Sequence, residues 1–267
     1  MINRRSLLAP LALAPLLPLA ASPVEAQGAV MTVDAIKRRG KLLIAMDTNN
    51  PPWGMLDTSM QPDGYDIVVG RLLAQEMGVP LELVPVTSQN RIPFILTGKA
   101  DLVMATLTIT AQRAEQILFS KPYCAQESII MAPEATAIRS FEDLRGKRVS
   151  VVRGAIQDPI VVERAPGATM MRYDNDASTI QALMSRQVDA TATGFLIPAQ
   201  TNRLQPGRNY EKKLSLGTQM IGIGMRHGSD DLLRTVNGFI DKAKADGRLA
   251  EAFKRFTGVD LLPLADA

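Results

Sequence analysis

The sequence predicts an α/β fold in which two lobes of βαβ type are joined by a hinge that the chain crosses twice. The composition is that of an ordinary globular protein, because 46% of the 267 residues are apolar and 21% are charged. Short apolar runs rich in β-branched and aliphatic residues alternate with helical patterns, which is typical of βα units around a parallel sheet. Two such series follow one another, so each is expected to form one lobe.

The first 26 residues form a segment of a different kind. Residues 1–5 include two arginines, residues 6–21 are an apolar run rich in leucine and alanine, and residues 24–26 include small side chains. This pattern predicts an export signal that is removed from the mature protein. Three prolines interrupt the apolar run, which argues against a retained membrane anchor. The paired arginines leave open whether export uses the Sec or the Tat route.

The first series follows this signal and opens the first lobe. Its helix at 64–77 has apolar residues at helical spacing, and its strands are short aliphatic runs. The predicted elements are a strand at 42–47, a helix at 64–77, a strand at 81–86, a helix with Pro93 in its first turn, a strand at 101–105 and a helix capped by Thr110.

The second series has the same alternation and forms the second lobe. Ser140 and Asp143 have the spacing of a capping box, which predicts a helix start. The predicted elements are a strand at 128–131, the helix from Ser140, a strand at 148–152, a helix from about Gln157, a strand at 169–173, a helix at 178–186 and a strand at 189–193.

The C-terminal part returns to the first lobe. A strand is predicted at 220–225, after a polar stretch, and helices are predicted at 229–246 and 249–256. Lobe 1 is therefore expected to contain residues 33–125 and 218–262, and lobe 2 residues 126–217. The crossings fall near 124–127 and 215–219, and the cleft between the lobes is where a small ligand is expected.

Charge and residue counts exclude several classes of function. Without residues 1–26 the chain keeps 28 basic and 26 acidic side chains, too even a balance for a nucleic-acid-binding protein. Cys124 is the single cysteine and His227 the single histidine, so an internal disulfide, most hydrolase triads and zinc sites are excluded by count. Cys124 is expected to be a small buried side chain and His227 to lie in a surface loop. No cofactor is expected.

Two arginines are placed where a helix alone would not favour them. Arg91 stands just before Pro93, and Arg113 stands three residues after Thr110, so both are expected at helix N-termini. These ends are already positive and have unpaired N–H groups, so a guanidinium there is unfavourable unless an anion binds. Together with two threonines at 106 and 108, they predict a receptor for a small carboxylate. The alternative is that each arginine pairs with a nearby acid or points to solvent.

Several segments resemble the periplasmic solute-binding proteins of polar amino-acid ABC importers. The resemblance covers roughly residues 35–260, and its most specific part is the Thr-x-Thr-x4-Arg run followed by Phe-Ser-x-Pro-Tyr. The similar segments are GKLLIA at 40–45, DGYDI at 63–67, GKAD at 98–101, TLTITAQR at 106–113, FSKPY at 119–123 and LRGKRV at 144–149. The resemblance implies a Venus-flytrap architecture and a monomer in the periplasm that delivers its ligand to a membrane permease.

The resemblance also implies roles for individual residues. Arg113 would clamp the ligand α-carboxylate, and Thr106 and Thr108 would add hydroxyl and backbone N–H bonds, in agreement with the planar guanidinium fork. The run SQNRIP at 88–93 is similar to the glutamate/aspartate-binding branch. There Ser88 and Arg91 would meet the ligand side chain.

In the second lobe, the segment 153–157 lies between a strand and a helix. Backbone N–H groups at Ile156 and Gln157 could therefore complete the pocket when the lobes close. An ordinary βα turn is the alternative.

Two positions depart from the pattern of the family. Gly194 stands where amino-acid binders commonly have an aspartate for the ligand ammonium, and Asn50 stands where many have an aromatic lid. Trp53 lies close by and either covers the ligand or fills the core. Either another acid holds the amine, or the ligand is an amine-free dicarboxylate or other organic anion. The candidate acids are Asp47, Asp158 and Asp176.

Two alternatives belong to other functional classes. Relatives of this fold include cyclohexadienyl dehydratase, an enzyme that needs a general acid in the cleft. The candidate acids would be Asp176, Asp158 and Glu163. The other alternative is the sensory module of a receptor whose membrane part a partner supplies. The favoured hypothesis is a binding protein without enzymatic activity.

Overall fold

The structure is a computed structural model that describes residues 30–205 and 207–264. The predicted export signal lies outside these residues. Within them, no helix is both long and apolar enough to cross a membrane.

Ten strands build two sheets. They are β1 Leu42–Met46, β2 Met55–Leu56, β3 Pro62–Asp63, β4 Leu81–Pro85, β5 Leu102–Val103, β6 Leu118–Pro133, β7 Arg148–Val152, β8 Thr169–Tyr173, β9 Ala190–Gly194 and β10 Tyr210–Met225. Strands β2 and β3 form a small antiparallel hairpin. The other eight form one sheet in the order β4-β1-β5-β10-β6-β9-β7-β8.

Helices cover both faces of the large sheet. They are α1 Val33–Arg39, α2 Tyr65–Met77, α3 Arg91–Leu96, α4 Ala111–Ala114, α5 Gln157–Arg164, α6 Asp176–Met184, α7 Ile197–Leu204, α8 Asp230–Ala245 and α9 Arg248–Thr257. Their ends follow local signals. Thr110 and Asn175 cap α4 and α6 through their side-chain oxygens, and α2 ends at Gly78 in the left-handed conformation.

The large sheet consists of two parallel halves joined by an antiparallel ribbon. Strands β4, β1 and β5 are parallel, and so are β9, β7 and β8, whereas β6 and β10 pair antiparallel between them. Each half has its own apolar clusters, around Ile44 and Ile95 in the first half and around Val149 and Met131 in the second. Two packed halves with separate cores confirm the predicted two-lobed α/β fold.

The ribbon is longer than the sequence predicts. Strands of four and six residues are expected at 128–131 and 220–225, but β6 and β10 have 16 residues each. The extra length in β10 covers part of the stretch that is expected to be irregular. The first part of β10, residues 211–215, is half-buried or exposed and mostly polar, so it lacks the apolar pattern that marks a strand. The two predicted crossings pair with each other in this ribbon: Thr218 lies opposite Glu127, and Gln219 lies opposite Gln126.

Other local predictions are wrong or incomplete. The helix predicted at Ser140 is only a 3-10 turn, Glu142–Leu144. Asp143 accepts hydrogen bonds from the N–H groups of Arg139 and Ser140, which is only half of a capping box. The hairpin, α1 and α7 are not predicted, since they are short and their sequences are mostly polar. Cys124 is fully buried, as expected.

Candidate ligand-binding site

A cavity lies between the two halves of the sheet. Its volume is about 40 Å³, which has room for roughly three water molecules. Nine of the ten predicted site residues line it: Asn50, Trp53, Ser88, Arg91, Thr106, Thr108, Ile156, Gln157 and Gly194. Arg113, the residue expected to clamp the carboxylate, does not line the cavity.

Seven further residues line the cavity without being among the ten. They are Gln126, Val152, Ala155, Asp176, Ala192, Leu196 and Ile197. Gln126 lies in the predicted hinge crossing, and Val152 and Ala155 flank the predicted turn, so position along the chain could have suggested them. Leu196 and Ile197 belong to the start of the unpredicted helix α7, and no local signal points to them.

Arg91 begins α3, as predicted, and is 3% exposed. Its Nε donates to the carbonyl of Ser88 at 3.1 Å, and Nη1 donates to the carbonyls of Ala105 and Thr106 at 2.7 and 3.3 Å. Nη2 donates to the carbonyl of Gly154, in the second half, at 3.2 Å. These bonds leave one of the five guanidinium N–H groups unused.

The charge of Arg91 is therefore met only by backbone dipoles. Burial and, to a smaller extent, the neighbouring Arg113 lower its pKa to about 10, yet the group stays protonated at neutral pH. Within the described part of the chain, no carboxylate forms an ion pair with Arg91, although Asp47 and Asp176 act on it from a distance. A buried cation without a counter-ion is costly, so the arrangement favours an anion close by.

Arg113 lies in α4, and its N–H bonds to the Oγ1 of the capping residue Thr110 at 3.2 Å, as predicted. Its Nη1 donates to the carbonyl of Thr108 at 2.9 Å, and its Nη2 donates to the carbonyl of Gly154 at 3.1 Å. The side chain is half-buried, and burial lowers its pKa. No acid holds Arg113 in the described residues, so it too keeps an uncompensated charge.

Both arginines thus bond to one carbonyl oxygen, that of Gly154, from the opposite half. Gly154 has φ 77°, a conformation that favours glycine. A Cβ added there would lie 3.2 Å from Cα of Gln89 and 3.3 Å from the carbonyl oxygen of Ser88. The second half therefore contacts the first through the backbone of Gly154, next to the two guanidinium groups.

Thr106 lies on a rigid polar support in the first half. It adopts φ 48°, its N–H donates to Oδ2 of the buried Asp66 at 3.0 Å, and its Oγ1 accepts from Nδ2 of Asn50 at 3.1 Å. The hydroxyl of Tyr123 donates to the other oxygen of Asp66 at 2.6 Å. Burial raises the pKa of Asp66 to about 7 despite these bonds. Asn50, which replaces an aromatic lid, thus positions Thr106.

Trp53 both fills the core and lines the cavity. It is 4% exposed, and its ring lies 5.7 and 5.8 Å from the rings of Phe253 and Tyr65. Tyr65 also stacks on Tyr123 at 5.8 Å. Trp53 therefore fills the core and also lies at the ligand cavity, which the sequence analysis gives as alternatives. The C-terminal helix α9, which carries Phe253, supports the cavity wall from behind.

The second half contributes fewer polar groups. Gln157 begins α5 and is buried, and its Nε2 donates to Oγ of Ser128 at 3.0 Å. Ile156 precedes it as the N-cap residue. Gly194 ends β9, where an added Cβ would lie 3.4 Å from Oε1 of Gln126.

The three candidate acids for a ligand amine have different surroundings. Asp158 binds Arg172 through two bonds of 2.7 and 2.9 Å, so its carboxylate is already paired. Asp47 accepts from the N–H of Asn49 at 2.8 Å and does not line the cavity. Asp176 lines the cavity, and burial together with the charge of Asp47 raises its pKa to about 6.

The remaining chemistry at the site is limited. Glu163, a candidate general acid, is exposed on α5 and does not line the cavity. In the residues that the structure describes, no group of three histidine, cysteine or carboxylate side chains could hold a metal ion. The arrangement can bind a small charged solute between two halves.

Residues 42–259 match the bacterial extracellular solute-binding proteins, family 3. The chain belongs to this family. An ABC transporter glutamine-binding protein of Bacillus subtilis is 28% identical over 235 residues, with 86% of this chain and 85% of that protein covered. An L-cystine-binding protein of Escherichia coli is 24% identical, with 86% and 87% covered.

Solved structures agree with the family. A solute receptor for L-cysteine from Neisseria gonorrhoeae superposes with a TM-score of 0.80 at 28% identity, covering 85% of this chain and 93% of that one. An ancestral amino acid-binding protein, a precursor of cyclohexadienyl dehydratase, superposes with a TM-score of 0.78 at 30% identity, covering 84% and 99%. These relatives are named for glutamine, cystine and cysteine, so the narrower glutamate/aspartate branch stays a prediction.

Proposed function

We propose that this family 3 protein is the solute-binding component of an ABC importer, which captures a small polar or acidic amino acid and delivers it to a membrane permease. One observation carries the proposal. The guanidinium groups of Arg91, in the cavity wall, and of Arg113, outside the cavity lining, both donate to the carbonyl of Gly154, and the side-chain bonds of both go only to backbone carbonyls. A ligand carboxylate would supply the missing negative charge through strong charge-assisted bonds.

The expected contacts follow from the unused donors. The α-carboxylate would accept hydrogen bonds from the N–H groups of Arg113 that are not bonded to Thr108 or Gly154. At Nη2 it would also take the place of the Gly154 carbonyl. The remaining Nη2 N–H of Arg91, together with Ser88, would receive the ligand side chain.

Binding would be coupled to transport through closure of the lobes. Residues 33–125 with 218–262 form one lobe and residues 126–217 the other, and rotation about the ribbon of β6 and β10 would bury the ligand. Closure excludes water and strengthens each charge contact. The permease would then recognise the closed monomer, and no covalent bond is made or broken. We place this function in the periplasm, with residues 1–26 as the export signal.

The proposal is tested by measuring ligand binding directly. Thermal-shift screening would compare acidic, amide and basic amino acids with amine-free dicarboxylates, followed by isothermal titration of each hit. Arg113→Ala is expected to reduce affinity at least about 100-fold, since it removes two or more charge-assisted bonds of about 1.5–3 kcal/mol each. Arg255→Ala, an exposed arginine on α9, is the matched control and should bind as the wild type does. Unchanged affinity in Arg113→Ala would refute the assignment.

A dehydratase is the second candidate function, and one observation favours it. Asp176 is a cavity carboxyl whose pKa is raised to about 6 by burial, as a general acid requires. The superposition on a precursor of cyclohexadienyl dehydratase adds support. Incubation with prephenate or arogenate tests this function. Formation of an aromatic product that disappears in Asp176→Asn would establish an enzyme, and no product would leave the binding protein.

A further inference from the structure

Asp176 is the single carboxylate among the described residues that line the cavity, and Arg91 is the single cation. They come from opposite halves, since Arg91 begins α3 and Asp176 begins α6. The cavity is therefore positive on the wall of the first half and negative on the wall of the second. A ligand that bears only negative charge would satisfy one wall and be repelled by the other.

The carboxylate of Asp176 also forms no ion pair within the described residues. Neighbouring acids of the second half are paired: Asp158 with Arg172 at 2.7 Å, and Asp189 with Arg148 at 2.9 Å. The hydrogen bond that its carboxylate accepts comes from its own backbone N–H. A half-buried carboxylate that faces a cavity and forms no ion pair favours a cationic group in that cavity.

A merely structural role at the helix start does not account for Asp176. Acidic residues in a first turn often stabilise the helix end. Here that task falls to Asn175, whose Oδ1 accepts from the N–H and the Oγ of Ser178, both at 2.9 Å. Asp176 is left free of the cap and lines the cavity instead.

The charge environment of Asp176 points the same way. Asp47, at the end of β1 in the first half, acts on it as a like charge, and Arg91 compensates only in part. Asp174, two residues earlier, is largely exposed and lies 3.7 Å from Arg153. Since Asp47 and Asp176 are like charges from opposite halves, a positive group bound near Asp176 would offset the repulsion that opposes closure.

We propose that Asp176 binds the ammonium group of the ligand and makes the site specific for solutes that carry both a carboxylate and a cationic amine. This inference rests on the proposed function and deepens it. Gly194, at the end of β9, offers no carboxylate, so the charge comes instead from the first residue of α6, which follows β8, two strands away in the sheet. The arrangement excludes amine-free dicarboxylates, which would place a second negative charge against Asp176.

The experiment compares each amino acid with its amine-free counterpart by isothermal titration. The probes are L-glutamate with glutarate, L-glutamine with glutaramate, and L-aspartate with succinate. The variants are Asp176→Asn and, as matched control, Asp174→Asn, an exposed acid on the same loop. Wild type and control should prefer the amine-bearing partner, and Asp176→Asn should lose roughly 10- to 150-fold of that preference, the value of one or more charge-assisted bonds.

The outcomes separate this inference from the proposed function. Retained binding of the amine-free anion by Asp176→Asn shows that the variant is folded. An unchanged preference in Asp176→Asn overturns the inference while amino-acid binding stands. Equal or tighter binding of the amine-free partner by the wild type also overturns it and leaves a carboxylate receptor. A wild type that binds none of the six probes overturns the inference and counts against the proposed function itself.

Discussion

The affinity of the protein for an amino acid is expected to fall about tenfold when the pH is lowered from 7 to 5. Asp176 has a raised pKa of about 6, caused first by burial and then by Asp47, with Arg91 acting in the opposite direction. The carboxylate is then about 90% ionised at pH 7 and about 10% ionised at pH 5. Since only the ionised form attracts an ammonium group, the loss corresponds to about 1.4 kcal/mol of binding free energy.

The sign of this effect follows from proton linkage. A bound ammonium lowers the pKa of Asp176 below its value in the free protein, so binding releases a proton in the window between the two values. At pH 6 about half a proton should be released for each ligand bound. Isothermal titration in two buffers with different ionisation enthalpies measures this number directly. The α-amine and α-carboxylate of the ligand keep their charges over this range.

Two controls decide the matter. Asp176→Asn should bind with an affinity that depends less on pH, and the release of protons at pH 6 should fall accordingly. Any pH dependence that remains in this variant reports on Asp47, whose pKa is also raised by burial. A wild type with the same affinity at pH 5 and pH 7, or an Asp176→Asn variant with an undiminished pH dependence, would refute the reasoning.

Three further predictions concern closure, pH-dependent stability and the core. Gly154→Ala should weaken ligand binding, because its Cβ would press on Gln89 when the halves meet, as titration and small-angle scattering would show, and it should also lower the unfolding free energy by about 1–2 kcal/mol, because φ at this position is 77°. The pKa of Asp66 is raised from 3.8 to about 7, so the folded state favours its protonated form. This preference stabilises the fold by on the order of 4 kcal/mol below pH 3.8, and the stabilisation is lost as the pH rises through 7. In Asp66→Asn, the urea concentration at the unfolding midpoint should therefore depend less on pH than in the wild type. Phe253→Ala should cost about 3–5 kcal/mol of unfolding free energy in urea, since it removes a buried ring that packs on Trp53.

Each of these has a result that contradicts it. Tight binding by Gly154→Ala with normal compaction would mean that the contact between the halves does not form in solution. A midpoint that follows pH equally in Asp66→Asn and the wild type would show that other groups govern acid stability. A loss below about 1 kcal/mol in Phe253→Ala would place α9 outside the cooperative core.

Local signals in the sequence predict the parts of the site that local physics determines. Thr110 caps α4 and Arg91 begins α3, because capping and proline chemistry act within a few residues. The same reasoning could not predict that Arg113 lies outside the cavity. Its position is determined by the carbonyl of Gly154, 41 residues away along the chain and in the other half.

The ranking of the acids shows the same limit. In sequence, Asp158 and Asp176 are equivalent candidates, since each lies close to the start of a predicted helix. Only the structure shows that Arg172, on the next strand, pairs with Asp158 and leaves Asp176 without a cation. The long ribbon was likewise hidden, because residues that bridge two cores need no continuous apolar face.

The ribbon between the halves has a consequence for how the ligand is sensed. From Thr218 to Ile221 the two strands keep a regular register, and irregularities flank this stretch on both sides. Since the strands are hydrogen-bonded to each other, neither connection bends independently, and the halves share one axis of rotation. Under the proposed function, a ligand anywhere in the cavity would therefore produce the same displacement of the distant outer faces. A membrane permease would then recognise the occupied protein from those faces without contacting the ligand.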